Sequence, residues 1–329
     1  MMRAIEASAG AEAAAGDDTA LGVILRDPLL MQAGAWLAGF FRRHPGTSIR
    51  PPFEGRGFHE RLQDIPIPDW PYPRHDASGL EALDLFVRAG LLSRNGDGHY
   101  RAVTDRHDLL AAFILYYYRD VERFTERFPG LTEVAAGRRV LDAGCGVGAY
   151  ALYFRDLGAR AVVALDTSRD RLAVTRRFAA ASGGGISTVR GSIERLPMPD
   201  ASVELIHSRV ALPYVHLRRT IAEFARVLSP GGQALLMLHA ASFYRWQLIE
   251  IGLRLRYASD AVLALMGLAG GAAFSLLGYE PHWSTGHNRF FLSYQPRRAF
   301  SRLAGRQGFR IEQWDANGRK PIVWLSKTA

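Results

Sequence analysis

The run Val140-Leu-Asp-Ala-Gly-Cys-Gly-Val-Gly148 decides the fold of this chain. An apolar strand ends in a glycine-rich turn, and the turn opens a helix predicted over Ala149 to Leu157. Glycine lets a backbone turn sharply and bring its N–H groups close to a ligand. Outward from this run, short apolar stretches alternate with amphipathic ones, the mark of a parallel α/β sheet. Strands are predicted at Arg139–Ala143, Ala161–Leu165, Ile186–Arg190, Val203–His207, Gln233–His239, Phe309–Trp314 and Pro321–Ser326. Leu217, Ile221, Phe224 and Leu228 recur at helical spacing, and Gly308 stops a helix that carries Phe300, Leu303 and Ala304. Seven strands with intervening helices make one doubly wound sheet.

The glycine loop alone does not choose its ligand, because Gly144-x-Gly146-x-x-Ala149 also satisfies the dinucleotide fingerprint. Three further features do. Asp142 stands just before the loop, where it would repel a pyrophosphate and welcome a cationic amino-acid group. Asp166 ends the next strand, where a carboxylate can accept hydrogen bonds from both hydroxyls of a ribose. Leu228-Ser-Pro-Gly-Gly232 leads into the apolar run Ala234 to Leu238.

Together these motifs resemble the class I S-adenosylmethionine-dependent methyltransferases, in particular the broad small-molecule group. The resemblance covers Arg138 to His239 and, more loosely, Arg297 to Ser326. It implies a Rossmann-like fold and S-adenosylmethionine as cofactor. Carried onto this chain, it implies that Asp142, Gly144, Cys145 and Gly146 border the methionine and ribose, with Gly148 opening the helix. Asp166 would hold the ribose hydroxyls, with Thr167 beside it and Arg171 flanking the adenine. Where the family often has Gly-Asp-Ala-Glu, this chain has Gly191-Ser-Ile-Glu194, so Ser192 offers a hydrogen bond without charge beside Ile193. Ser208 and Arg209 would line the cofactor toward the substrate.

Methyl transfer from a sulfonium is an in-line displacement in which alignment and desolvation do most of the work. A base is needed only where the nucleophile must lose a proton. The candidates are His239, Tyr214 and His207, with His239 preferred because it ends the fifth strand. His216, His282, Trp283, His287 and Tyr116 to Tyr118 lie in segments that could also reach the substrate. A structural role competes for each. The histidine context of winged-helix O-methyltransferases is missing. So is an Asn/Asp-Pro-Pro-aromatic motif after the fourth strand, which argues against nucleobase or glutamine methylation. The expected reaction is methyl transfer to an O, N or C nucleophile of a small, largely apolar metabolite of biosynthesis. The alternatives are a non-methylating reaction on the same cofactor and a membrane-associated lipidic substrate.

Ahead of the sheet, a tail is expected over residues 1–20 and a mainly helical domain over 21–130, with the cofactor-binding domain over 131–329. Leu21 to Arg43 reads as one or two helices, and Pro51 to Pro73 as an extended proline-rich segment. The helix at Gly79–Leu92, followed by Asn95-Gly-Asp-Gly98, resembles the winged-helix region that precedes many small-molecule methyltransferases. There it serves dimerisation and closure over the substrate, which implies a homodimer and a cover. A DNA-binding wing is disfavoured by two acids and one base on Glu81–Arg88, since a groove helix must approach phosphates. Residues 240–295 are an insert after the fifth strand, expected to be a helical lid or binding surface. Its uncharged run Ala261–Gly278, broken by Gly267, Gly270 and Gly271, is short for a membrane span and reads as a buried helix or hairpin.

Composition fits this reading. The chain has 329 residues, 48% of them hydrophobic, and one cysteine, which excludes an intrachain disulfide. No metal site is expected, since Cys and His show no ligand spacing. A reducing cytoplasm is the expected compartment. The net charge of +9 is almost all arginine spread along the chain, so it forms no nucleic-acid stripe.

Overall fold

The computed structural model describes residues 18–43, 48–49, 61–62, 65–66, 71–72, 77–102, 130–253, 258–285 and 288–328. The chain divides into two compact units, one of residues 1–129, 147–153 and 169–185, the other of 130–146, 154–168 and 186–329. Residues 1–17, Tyr116 to Tyr118, His287 and most of the proline-rich segment lie outside the described residues.

In the first unit the apolar stretch at Leu21 becomes two helices, α1 (Asp18–Arg26) and α2 (Pro28–Arg43). The break has a local cause. Asp27 Oδ1 accepts from the N–H groups of Leu29 at 2.8 Å and Leu30 at 3.3 Å, and Pro28 fills the first helical position, where no donor is needed. A short antiparallel pair follows, β1 (Arg61–Leu62) with β2 (Ile65–Pro66). Helix α3 (Ala77–Arg88) and the hairpin β3 (Leu92–Arg94) and β4 (Tyr100–Ala102) come next. The Tyr100 hydroxyl donates to Asp84 at 2.8 Å and ties the hairpin to α3.

Beyond α4 (Leu131–Ala135) come β5 (Arg139–Ala143), α5 (Ala149–Asp156), β6 (Ala161–Asp166), α6 (Arg169–Ala181), β7 (Ile186–Arg190) and β8 (Val203–Arg209). Then follow a 3-10 turn at Leu212–Tyr214, α7 (Leu217–Val227) and β9 (Leu228–Met237). The insert contributes α8 (Ala241–Trp246), a π-helical turn at Gln247–Leu253, α9 (Ala258–Leu277) and the hairpin β10 (His282–Thr285) and β11 (Asn288–Phe291). Helix α10 (Arg297–Arg306) and strands β12 (Phe309–Asp315) and β13 (Ile322–Lys327) close the chain.

Seven strands form the sheet in the order β12-β13-β9-β8-β5-β6-β7. Only β13 pairs antiparallel, with β9 and β12; the other pairs are parallel. The Rossmann-like α/β fold predicted from the motifs is therefore present. From β5 the chain moves to β6 and β7 on one side, then crosses to β8 and β9 on the other. The switch point thus lies between β5 and β8, where ligands of such sheets bind beyond the strands' carboxyl ends. Leu217, Ile221 and Phe224 of α7 pack with Phe300 of α10 in a core of fully buried side chains against β8, β9 and β13.

Among the strand boundaries that differ from the sequence reading, those of β8 and β9 bear on the site. Strand β8 continues through Ser208 to Arg209, and β9 starts at Leu228 and absorbs Ser229 to Gly232. The Pro-Gly-Gly stretch survives as an irregularity in which Val203 pairs with Leu228 and Leu205 with Gln233, with Gly231 at φ +72°.

The uncharged run also differs from the expected buried helix or hairpin. It is one helix, α9, buried on one face only. Gly267, Gly270 and Gly271 are the close-approach positions, because a Cβ there would press into the Tyr244 ring, the Leu292 carbonyl and the Tyr294 ring. Most of the large aliphatic residues point the other way, with Val262 55% and Leu276 83% exposed, while Phe274 packs into the core. Small residues take the packing face, so the helix is apolar all round without being enclosed. No described helix is long and apolar enough to cross a membrane.

Candidate cofactor and acceptor site

At the carboxyl end of β5 the backbone turns through Gly144 (φ +77°) and Gly146 (φ +58°), a region open to glycine at little cost. A Cβ on Gly144 would lie 2.7 Å from the Ala211 Cβ, while one on Gly146 would meet nothing within 4 Å. The loop therefore grips at its first glycine and is open at its second.

The loop N–H groups are not free for an anion, contrary to the expectation of exposed donors. Gly144 and Cys145 donate to the Leu165 carbonyl at 2.8 and 2.9 Å, and Gly146 donates to Asp166 Oδ2 at 2.9 Å. A pyrophosphate cradle needs those donors, so this arrangement speaks against a dinucleotide. Asp166 Oδ1 accepts from Ser168 N–H at 2.9 Å. Each carboxylate oxygen carries further lone-pair capacity, so two more donors can be accepted.

Asp142 is buried. Its Oδ1 shares a hydrogen bond with His207 Nδ1 at 2.8 Å, and its Oδ2 has no partner among the described residues. The two side chains meet because Asp142 and His207 are paired across β5 and β8 at the switch point. An unpartnered buried carboxylate oxygen is costly, and a cationic group from a ligand would satisfy it. On this observation the residues present fit S-adenosylmethionine, whose amino-acid end carries an ammonium group.

The other cofactor candidates are placed as follows. The Ser208 hydroxyl is fully buried and donates to the Ala143 carbonyl at 2.8 Å, fastening β8 to β5. Arg209 is half-buried at the end of β8. Thr167 is exposed and Ile193 is buried in the core. Ser192 is exposed, its Oγ accepting from Glu194 N–H at 3.1 Å. Gly148 and Arg171 belong to the first unit, where Gly148 (φ +84°) is backed by Thr175 and Arg171 is exposed near the start of α6. Directly after Arg209, Val210 sits at φ +57°, a conformation a β-branched residue rarely adopts, and strain of this kind gathers at functional sites.

Of the proposed bases, Tyr214 and His239 come together, with ring centroids 5.9 Å apart and nearly perpendicular. His207 does not join them; it lies buried with Asp142, with the Phe154 ring 5.2 Å away. His239 does not end the fifth strand as predicted but lies two residues beyond the end of β9 at Met237, fully buried and stacked on Phe243 at 4.0 Å. Its Nδ1 lies 3.1 Å from the Tyr244 hydroxyl. Burial first, then the Lys320 and Arg209 cations, lower its pKa to about 3, so the imidazole is neutral.

Sequence reasoning missed the residues that hold His239 in place. The His239 N–H donates to Gln295 Oε1 at 3.2 Å, and its carbonyl accepts from Gln295 N–H at 3.1 Å. Gln295 Nε2 donates to the Ser293 carbonyl at 2.9 Å. The Ser293 hydroxyl donates to Glu280, which also accepts from Leu217 N–H at the start of α7, both at 2.8 Å. Burial pushes the Glu280 carboxyl up to about 7 against the two donors that lower it, with Glu194 raising it further. The only signal for this network was a scatter of polar residues in an otherwise apolar insert.

An open α/β sheet with a glycine turn and Asp142 at its switch point, and Asp166 ending the neighbouring strand, is the arrangement in which such sheets bind nucleoside cofactors. Residues 141–236 match the methyltransferase domain family, in keeping with the resemblance of the sequence motifs to the class I S-adenosylmethionine-dependent enzymes. A malonyl-[acyl-carrier protein] O-methyltransferase of Pectobacterium atrosepticum is 39% identical over 108 residues, 32% of this chain and 41% of that protein. Another with the same name, from Serratia marcescens, is 34% identical over 131 residues, 38% of this chain and 49% of that protein. The chain thus spans less than half the length of these two relatives. Among solved structures, an S-adenosylmethionine-dependent methyltransferase from Mesorhizobium loti aligns with a TM-score of 0.43 at 20% identity, over 64% of this chain and 96% of that one.

Proposed function

We propose that this protein transfers a methyl group from S-adenosylmethionine to a nucleophile, most simply an oxygen, of a small biosynthetic substrate. The observation that carries the reading is the unpartnered Asp142 oxygen beside the glycine turn, with Asp166 ending the neighbouring strand. The bound cofactor supplies an electrophilic methyl group on a sulfonium. Asp142 accepts from its ammonium, Asp166 from its ribose hydroxyls, and the open face at Gly146 lets the backbone approach. Cys145, Thr167, Ser192 and Ile193 border it, with Ser208 and Arg209 toward the acceptor. His239 and Tyr214 line the acceptor side, and the insert closes over it.

The relatives' printed name supports O-methylation, and the aliphatic and aromatic side chains of the insert support a largely apolar acceptor. The apolar outer face of α9 favours a second reading, in which the acceptor is lipidic and reached at a bilayer surface; co-flotation with liposomes tests it. The main reading is tested by calorimetry with S-adenosylmethionine and S-adenosylhomocysteine. Micromolar binding that is lost in Asp166→Ala supports it, and no heat with either ligand ends it.

A further inference from the structure

His239 has two ring nitrogens, and hydrogen-bond accounting around Tyr244 fixes which one carries the proton. Tyr244 is buried, and burial raises its hydroxyl pKa, so it keeps its hydrogen. That hydroxyl lies 3.3 Å from the Ser293 carbonyl and 3.1 Å from His239 Nδ1. A carbonyl can only accept, so the tyrosine hydrogen satisfies Ser293 and the tyrosine oxygen is left to accept from Nδ1–H. Both contacts are made in that arrangement. With the hydrogen turned toward Nδ1, the tyrosine oxygen loses its donor and Nε2–H becomes a buried donor without an acceptor, the rarer defect in proteins. His239 Nε2 is buried and has no hydrogen-bond partner among the described residues.

We propose that Tyr244 is a positioning residue, holding His239 as the Nδ1–H tautomer so that the bare Nε2 lone pair receives a hydroxyl-bearing methyl acceptor. This rests on the methyltransferase reading above and narrows its substrate class. An ionised carboxylate would set lone pair against lone pair at Nε2, whereas an alcohol or phenol brings the hydrogen that the nitrogen lacks. In the step, the acceptor oxygen forms a bond to the methyl carbon as the carbon–sulfur bond breaks and its electron pair goes to sulfur. The O–H pair stays on oxygen and the proton passes to Nε2. An oxygen becomes strongly acidic as it is alkylated, so even an imidazole held neutral by burial can take that proton. The resulting imidazolium is still held through Nδ1–H by the Tyr244 oxygen.

The tautomer is read by nitrogen-15 NMR of the labelled full-length protein, without cofactor or substrate, with the His239 resonances assigned by their loss in His239→Asn. The expected result is a protonated Nδ1 and a bare Nε2 in the wild type, reverting in Tyr244→Phe to the Nε2–H form that free histidine prefers. A wild-type Nε2–H tautomer overturns the proposal, as does a tautomer unchanged in a folded Tyr244→Phe. If that variant fails to fold, the wild-type spectrum alone decides. Labelled methyl transfer with matched acceptors then tests the substrate class. Transfer to the hydroxyl member, reduced on the order of tenfold in Tyr244→Phe with cofactor affinity unchanged, supports the proposal. Exclusive transfer to the carboxylate member overturns it. Failure of the methyltransferase reading would instead appear as no cofactor binding, whatever the tautomer.

Discussion

Replacing Glu280 with glutamine should remove one buried carboxyl's share of the pH dependence of stability, so that the variant gains on the wild type as pH rises. Burial raises Glu280 from its ordinary 4.5 to about 7, so the folded protein keeps a proton that the unfolded chain has released. A group with a raised folded pKa contributes stability that is complete below the unfolded value and lost as pH rises through the folded one. Each pKa unit is worth about 1.4 kcal/mol, so the wild type should lose up to about 3 kcal/mol between pH 4.5 and 7.5 through this group. The group is 7% exposed, so little of this is screened by solvent. Glutamine keeps an acceptor for Leu217 N–H and turns its amide toward the Ser293 hydroxyl, which can accept. The assay is urea unfolding of both proteins at half-unit pH steps, reading the difference between them so that other titrating groups cancel. Glu280→Gln should gain relative to wild type as pH rises, by about 1–3 kcal/mol in total. Parallel stability curves across the window would refute the reasoning.

Other perturbations are as direct. Gly148→Ala should destabilise by about 1–3 kcal/mol, because φ is +84° and the new Cβ would lie 2.8 Å from Thr175 Oγ1; thermal unfolding measures it. Val210→Gly should cost less than about 0.5 kcal/mol or stabilise, since relief from φ +57° offsets the lost side chain and the added chain entropy; a loss above 2 kcal/mol by urea unfolding contradicts this. Asp142→Asn should weaken S-adenosylmethionine binding by on the order of tenfold or more by calorimetry, with a smaller effect on an analogue lacking the amino group.

The glycine turn and the strands around it were legible because their signals are local. The apolar run, the glycine turn and the acid at the end of β6 lie in short stretches, and each element follows from its own residues. Val203 to Arg209 shows where this stops. Its strand character was plain, but the meeting of His207 with Asp142 depends on β8 crossing the sheet to lie beside β5. The structural role that competed with catalysis for His207, as the buried partner of Asp142, was therefore not visible in the sequence. The surroundings of His239 were poorly legible for the same reason, since Glu280, Ser293 and Gln295 meet Leu217 and His239 only through bonds to residues far away in sequence. The exposed face of α9 was misread because an apolar helix suggests burial all round, and only packing reveals that the glycines, rather than the leucines, face inward.

Glu280 and His239 share one network, and their titrations oppose each other. Burial raises the acid, which stabilises the fold as pH falls through 7 toward 4.5. Burial also lowers the histidine from 6.5 to about 3, so the folded protein refuses a proton that the unfolded chain accepts below 6.5. That contribution is present above 6.5 and lost as pH falls toward 3. Between pH 6.5 and 4.5 the two effects act in opposite directions, and the wild type should look nearly indifferent to pH although both groups are strongly perturbed. A single substitution exposes the hidden slope: Glu280→Gln should lose stability on acidification through this window, and His239→Asn should gain. The double variant should be flat again. Two single variants that slope the same way would mean that these groups do not titrate as their burial requires.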